Sequence, residues 1–243
     1  MKYKNVSLCA VIILILTVIL IAFFCIMAFS TSYGYSTQVD KNASPVGNLD
    51  ATSAVTVIID AGHGGVDPGA VANNVIEKNI NLSVAKKLAD FLSISGYNVV
   101  LTREEDVLLG NNDKEGYKRS DLNHRLSFIE KNENCIFVSI HMNKFETSSA
   151  HGLQTFYSSN NPDSLRLAEA IQAASKLIDA NNTRKVKPDG SNIYILEKTY
   201  KPAVLVECGF LSNPTDASKL SDNSYQNKLA FSLYCGIINY IGE

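Results

Sequence analysis

The sequence predicts one α/β domain in which buried strands are covered by helices. Residues 135–140 read Cys-Ile-Phe-Val-Ser-Ile, a near-continuous apolar run of the kind found in parallel strands buried on both faces. Leu82, Ala85, Leu88, Ala89 and Leu92 recur at helical spacing, as in a helix with one apolar face. Strand-like and helix-like stretches then alternate along most of the chain, the pattern of α/β architecture.

The chain has 243 residues and a net charge of −2. Residues 6–29 carry no charge, are rich in Ile, Leu, Val and Phe, and follow Lys2 and Lys4. A cleaved signal has an apolar core of about 7–15 residues, whereas a spanning helix needs about 20. Residues 1–30 are therefore expected to be a membrane anchor with a cytoplasmic N-terminus and an exported remainder. The alternative is export with cleavage near Ser30, because Ala28-Phe29-Ser30 has small residues spaced as at a cleavage site. Residues 31–53, rich in Ser, Thr, Asn, Gly and Asp, read as a flexible polar stalk. Residues 54–243 are left for the folded domain, enough for one α/β core.

The first strand, from residue 55 to 59, runs into the turn Asp60-Ala61-Gly62-His63-Gly64-Gly65. In open α/β sheets, ligands bind where the carboxyl ends of strands meet their loops, so His63 stands where a site belongs. This is not a nucleotide loop: Asp67 occupies the place of a third glycine, and no Gly-Lys-Ser/Thr follows. After a loop to residue 76, Glu77 opens the first helix and Gly96 is placed to end it. Residues 97–101 form the next strand, ending at Thr102-Arg103. Residues 104–121 are polar and read as a long surface loop, and residues 122–131 as a short helix. His141 terminates the strand of residues 135–140. Residues 152–157 form another strand. Asn161-Pro162 starts a helix running to about residue 180, after which residues 183–190 are a basic, loop-like link. Residues 193–196 read as a short strand. Residues 203–206 form a fourth buried strand ended by Glu207. Asn213-Pro214 repeats the asparagine–proline start, and residues 225–241 form the last helix.

Composition excludes some partners and chemistries. No basic face stands out, which argues against nucleic acid. The five cysteines include no Cys-x-x-Cys pair, so neither a zinc–thiolate site nor a disulfide framework is indicated. What remains are strand-end groups: His63, His141 and Glu207, with Glu77 at a helix start. Two imidazoles and a carboxylate suit Zn²⁺. A metal ion can activate water for hydrolysis, and a further carboxylate can move the proton. From the residues alone, either Glu77 or Glu207 could be the ligand and the other the base.

The stretches Ile-Asp-Ala-Gly-His63-Gly-Gly-x-Asp-Pro-Gly, Glu77-Lys-Asn-x-Asn-Leu, Leu-Thr-Arg103, Ser-Ile-His141-x-Asn143 and Pro-Ala-Val-Leu-Val-Glu207-Cys-Gly-Phe-Leu-Ser-Asn213 occur in this order. Over residues 57–241 the chain resembles the zinc-dependent N-acetylmuramoyl-L-alanine amidases of bacterial cell walls. The resemblance implies a central mixed, largely parallel sheet flanked by helices on both faces. It implies Zn²⁺ held by His63, Glu77 and His141, with Glu207 as the catalytic carboxylate. The reaction implied is hydrolysis of the amide between N-acetylmuramic acid and L-alanine in peptidoglycan. The competing readings are a zinc peptidase cutting within the stem peptide and an inactive, membrane-tethered wall-binding protein. The compact form with an N-terminal anchor looks most like the sporulation, germination-specific member, which strips stem peptides so that spore-cortex muramic lactam can form. Lys144 and Gln154 depart from the family pattern at positions that bear on substrate fit. Asp60 and Asn143 are expected to orient the ligand histidines, and His151 and Arg103 to lie near substrate. Arg125 reads as solvated or salt-bridged. Wall-binding repeats are missing, which points to a separate extracytoplasmic protein that places the domain on the wall and orders its zinc site.

Overall fold

Residues 55–110, 116–190 and 192–242 are described in a computed structural model. The anchor and stalk expected over residues 1–53 lie outside them. Among the described residues no helix is long and apolar enough to cross a membrane.

The chain begins with β1 (Thr56–Ala61), a small hairpin of β2 (Val71–Ala72) and β3 (Val75–Ile76), α1 (Glu77–Ile94) and β4 (Asn98–Leu101). It continues through α2 (Tyr117–Glu130), β5 (Cys135–Asn143), β6 (Gln154–Tyr157), α3 (Pro162–Ala174), β7 (Lys187–Pro188) and α4 (Tyr194–Lys198). It closes with β8 (Ala203–Phe210), α5 (Pro214–Ser221) and α6 (Asn223–Gly242). Six strands form one sheet in the order β4-β1-β5-β8-β6-β7. The pairs β4–β1, β1–β5, β5–β8 and β6–β7 are parallel, and β6 runs antiparallel to β8. The sheet is therefore mixed and largely parallel, as expected.

Alternation along the central strands divides the core in two. Val57, Ile59, Ile136, Val138, Val204 and Val206 pack with residues of α1, α3 and α6. Ile58, Phe137, Ala203 and Leu205 pack with residues of α2 and α4 on the other face. Period-two alternation thus carries apolar side chains to both faces, which is why these strands read as unbroken apolar runs. Local signals set the ends of several helices. Asn161 and Asn213 cap α3 and α5 through their side chains, each with proline in the first turn. Gly96, at φ 86°, follows α1 in the left-handed conformation.

Several boundaries differ from expectation. Residues 193–196 are not a strand; α4 begins at Tyr194, and Ile195 and Leu196 bury into the second core. A short apolar run does not by its pattern distinguish strand from helix. The helix expected at residue 122 starts at Tyr117 instead, inside the stretch read as loop, and its buried positions are Asp121, Arg125 and Ile129. Two of those three are charged, so an apolar pattern could not reveal the face. His141 and Glu207 do not end their strands: β5 continues to Asn143 and β8 to Phe210, with a register shift between His141 and Asn143.

Candidate active site

The turn after β1 bends tightly: His63 itself has φ 62°, and Gly64, Gly65 and Gly69 also have positive φ. A non-glycine residue in the left-handed region costs free energy and persists where its surroundings fix it. Here two arginines fix it. Arg103, 3% exposed, donates through Nε to the Ala61 carbonyl and through Nη2 to those of Gly62 and Lys78. Arg125, 2% exposed, donates to the carbonyls of Ala61 (2.8 Å) and His63 (2.7 Å). Asp60 and Asp121 neutralise Arg125, and Asp60 also accepts from Thr102 and Ser139. Burial opposes the charge on both groups, yet Asp60 and Asp121 together raise Arg125 above its ordinary range, and Arg125 with the hydrogen bonds from Ser139 and Thr102 holds Asp60 below the usual carboxylate range.

His63, Glu77 and His141 converge above this base. His63 turns Nδ1 to Asp67 Oδ2 at 2.9 Å and presents Nε2 to Glu77 Oε2 at 3.2 Å. His141 Nδ1 lies 2.9 Å from Glu77 Oε1. The two rings stand edge to face at 4.9 Å. One donor atom from each of the three residues lies within 4.8 Å of the others. The Glu77 carboxylate also accepts from the backbone N–H of Ala70 and Met142 and from Asn81 Nδ2. Burial opposes its ionised form, yet hydrogen bonds from His141 and His63 hold it far below the usual carboxylate range. Burial likewise opposes charge on His63, but Asp67 and Glu77 raise it to about 9.

Glu207 completes the group. It pairs with His141 across β5 and β8, and Gln154 stands opposite it on β6. Its Oε2 is buried without a hydrogen-bond partner. Burial, with a contribution from the Glu77 charge, pushes its carboxyl up to about 7. The site thus holds an ionised carboxylate between two imidazoles and a second carboxyl poised near neutrality. This donor set, one buried carboxylate and two convergent imidazole nitrogens, fits a zinc-type divalent ion. The orphaned carboxyl beside it suits proton transfer.

A family model described as N-acetylmuramoyl-L-alanine amidase matches residues 57–239. The chain belongs to that family. The amidase is 37% identical to the germination-specific N-acetylmuramoyl-L-alanine amidase of Bacillus subtilis (strain 168), over 79% of this chain and 81% of the relative. Its fold matches the CwlD amidase of Clostridioides difficile, solved in complex with the GerS lipoprotein, with a TM-score of 0.74 and 41% identity, covering 77% of this chain and 98% of that one. It also matches an N-acetylmuramoyl-L-alanine amidase from Clostridium difficile 630, with a TM-score of 0.69 and 31% identity over 79% and 98%.

The amidase places the other expected residues as follows. Asp60 bonds Thr102, Ser139 and Arg125 and acts on His63 only through its backbone. The Asn143 carbonyl accepts from the Leu211 N–H at 2.7 Å. The exposed His151 ring bonds back to the Ser149 carbonyl. Arg103 clamps the turn, donating to the backbone carbonyls of Ala61, Glu105, Gly62 and Lys78. Lys144 reaches the Val71 carbonyl, and Gln154 bonds Arg184 and the Lys185 carbonyl. Sequence reasoning did not find Asp67 and Asn81. Each lies four residues after a ligand candidate, and for Asn81 the helical spacing from Glu77 was a usable signal. For Asp67 the only signal was its place in the glycine turn.

Proposed function

We propose that this amidase binds one Zn²⁺ through His63, Glu77 and His141, and that Glu207 moves the proton during hydrolysis of the bond between N-acetylmuramic acid and L-alanine. The observation that carries the reading is the convergence of His63, Glu77 and His141 within 4.8 Å beside the Glu207 carboxyl. Asp67 holds the His63 Nδ1 proton and leaves Nε2 for the ion. Zinc, when bound, supplies a Lewis acid for the amide carbonyl and for water. Glu207 accepts a proton from the attacking water and gives it to the L-alanine nitrogen as that amine leaves. Burial favours the neutral acid, so Glu207 takes a proton from water more readily than an exposed carboxylate would, and the departing amine, more basic still, removes it.

The substrate is peptidoglycan outside the cytoplasm. The relative named germination-specific supports a role in spore-cortex maturation, with stem peptides removed before muramic lactam forms. Residues 1–30 would hold the domain at the membrane, and the neighbour solved with a lipoprotein supports an extracytoplasmic protein partner that positions the enzyme. The deciding experiment is mass spectrometry of purified peptidoglycan after digestion by the zinc-loaded protein. New free L-alanine amines are expected. New termini elsewhere in the stem would make the enzyme a peptidase, and intact stems would make the chain a binding protein. Membrane fractions washed with salt are expected to retain the protein; recovery of only a soluble form starting near residue 31 would replace the anchor with a cleaved signal.

A further inference from the structure

Asn81 stands four residues after Glu77 on α1 and is completely buried. Its side-chain amide turns both hydrogens to the site: Nδ2 donates to the Gly62 carbonyl at 3.0 Å and to Glu77 Oε1 at 3.2 Å. Its own oxygen, Oδ1, is buried without a hydrogen-bond partner among the described residues. Turning the amide over would set that oxygen against two acceptors, so the partners fix its orientation. A buried polar atom left unpaired is costly. Leucine, close to asparagine in shape, would carry no such atom. Nor do the two acceptors depend on Asn81 for a donor. The Gly62 carbonyl also accepts from Arg103 Nη2 at 3.1 Å, and Glu77 Oε1 from the Met142 N–H at 3.0 Å. For folding, the Asn81 amide is therefore redundant, and its reason lies in the carboxylate it touches.

A carboxylate oxygen offers two lone pairs. His141 Nδ1 approaches Glu77 Oε1 and His63 Nε2 approaches Oε2, and these are the contacts that an ion between the three side chains replaces. The remaining donors are unevenly divided. Oε1 accepts from Met142 and Asn81, which fills both of its lone pairs. Oε2 accepts from the Ala70 N–H, which leaves one lone pair for an ion. Without Asn81 each oxygen would keep one backbone donor, and nothing would tell them apart. A carboxylate that holds an ion through both oxygens takes up a position that catalytic zinc keeps for water.

We propose that Asn81 is a positioning residue that reserves Glu77 Oε1, so that the carboxylate holds zinc through Oε2 alone and a coordination position stays open for water. The inference rests on the zinc reading above. Its test compares the full chain in detergent with its Asn81→Leu variant. Zinc affinity is measured by competition with a chromophoric chelator. The ligand count is read from the visible absorption of the cobalt(II)-loaded protein, intense for four ligands and weak for five. Asn81→Leu is expected to bind zinc about 10–100-fold more weakly and to lose the intense cobalt absorption of the parent. The melting temperature of its chelator-treated form is expected to be no lower than the parent's. Unchanged zinc affinity or a parent-like cobalt spectrum in the folded variant would overturn the inference and leave the zinc site standing. A lowered melting temperature would make Asn81 a structural residue and overturn it as well. Asn81→Met repeats the comparison should the leucine variant not fold, and failure of both to fold counts as the structural outcome. A parent chain that binds no zinc would overturn the zinc reading and the inference with it.

Discussion

His141 and Glu207 sit directly opposite one another on adjacent parallel strands, β5 and β8. The pairing carries a candidate metal ligand and a candidate proton carrier to the same row of the sheet, so their spacing is set by backbone hydrogen bonds and not by a loop. Glu207→Gln keeps the shape but cannot take a proton. Turnover is expected to fall by ~10²–10⁴-fold, with zinc retained on metal analysis. Loss of zinc would exchange the roles of Glu207 and Glu77.

The Glu207 carboxyl also sets a stability signature. Its folded value, about 7, lies above the ordinary 4.5 because burial favours the neutral acid. Its contribution to stability is therefore complete below pH 4.5 and lost as pH rises through 7. In metal-free protein, melting temperature followed from pH 4.5 to 7 should decline less steeply in Glu207→Gln than in the parent. Parallel profiles would place the burden on another group.

Metal uptake should release a proton. Asp67 and Glu77 hold His63 protonated up to about pH 9 in metal-free protein, and an imidazole must be neutral to bind an ion. Calorimetric zinc titrations at pH 7.5 in buffers of different ionisation enthalpy should show this proton, and Asp67→Ala should weaken zinc binding about 10–100-fold. Buffer-independent heats would contradict a protonated His63.

Gly62 is where the β1 turn meets the His141 ring. A Cβ added there would lie 2.3 Å from ring atoms of His141, well inside van der Waals contact. Gly62→Ala is expected to push that ring from Glu77 and abolish zinc binding, while far-ultraviolet circular dichroism stays unchanged. Retention of full zinc affinity would mean that the ring has room to retreat.

Arg125 is buried between Asp60 and Asp121 and holds the His63 carbonyl. Removing one member of a buried ion pair leaves an uncompensated charge and costs about 3–5 kcal/mol. Arg125→Met is expected to destabilise the protein on that scale in urea unfolding and to weaken zinc binding. A loss under about 1 kcal/mol would show that water replaces the guanidinium, since exposed pairs contribute no more than that.

The fold was legible in the sequence where burial is apolar. Continuous runs marked β1, β5 and β8, and helical spacing marked α1. The start of α2 was hidden because its buried face is Asp121 and Arg125, charged residues that pattern reading assigns to solvent. Residues 193–196 were ambiguous because so short a run has no readable period. In the site, His63, Glu77, His141 and Glu207 were named from motif and strand position. Asp60 was expected to orient the ligand histidines, and its link to His63 runs through Arg125 to the backbone carbonyl. Sequence reveals which residues carry chemistry more readily than which hydrogen bonds hold them, because those bonds join positions such as 60 and 125 that only the folded chain brings together.

The left-handed His63 is pinned by a hydrogen bond that its carbonyl accepts from Arg125 and one that its Nδ1 donates to Asp67, and its turn is held by Arg103. The brace under the turn is therefore remote from the imidazole it serves: Asp60, Asp121 and Arg125 reach His63 through its main chain, so a lesion at any of them would be felt at the site without a change to any residue that faces it.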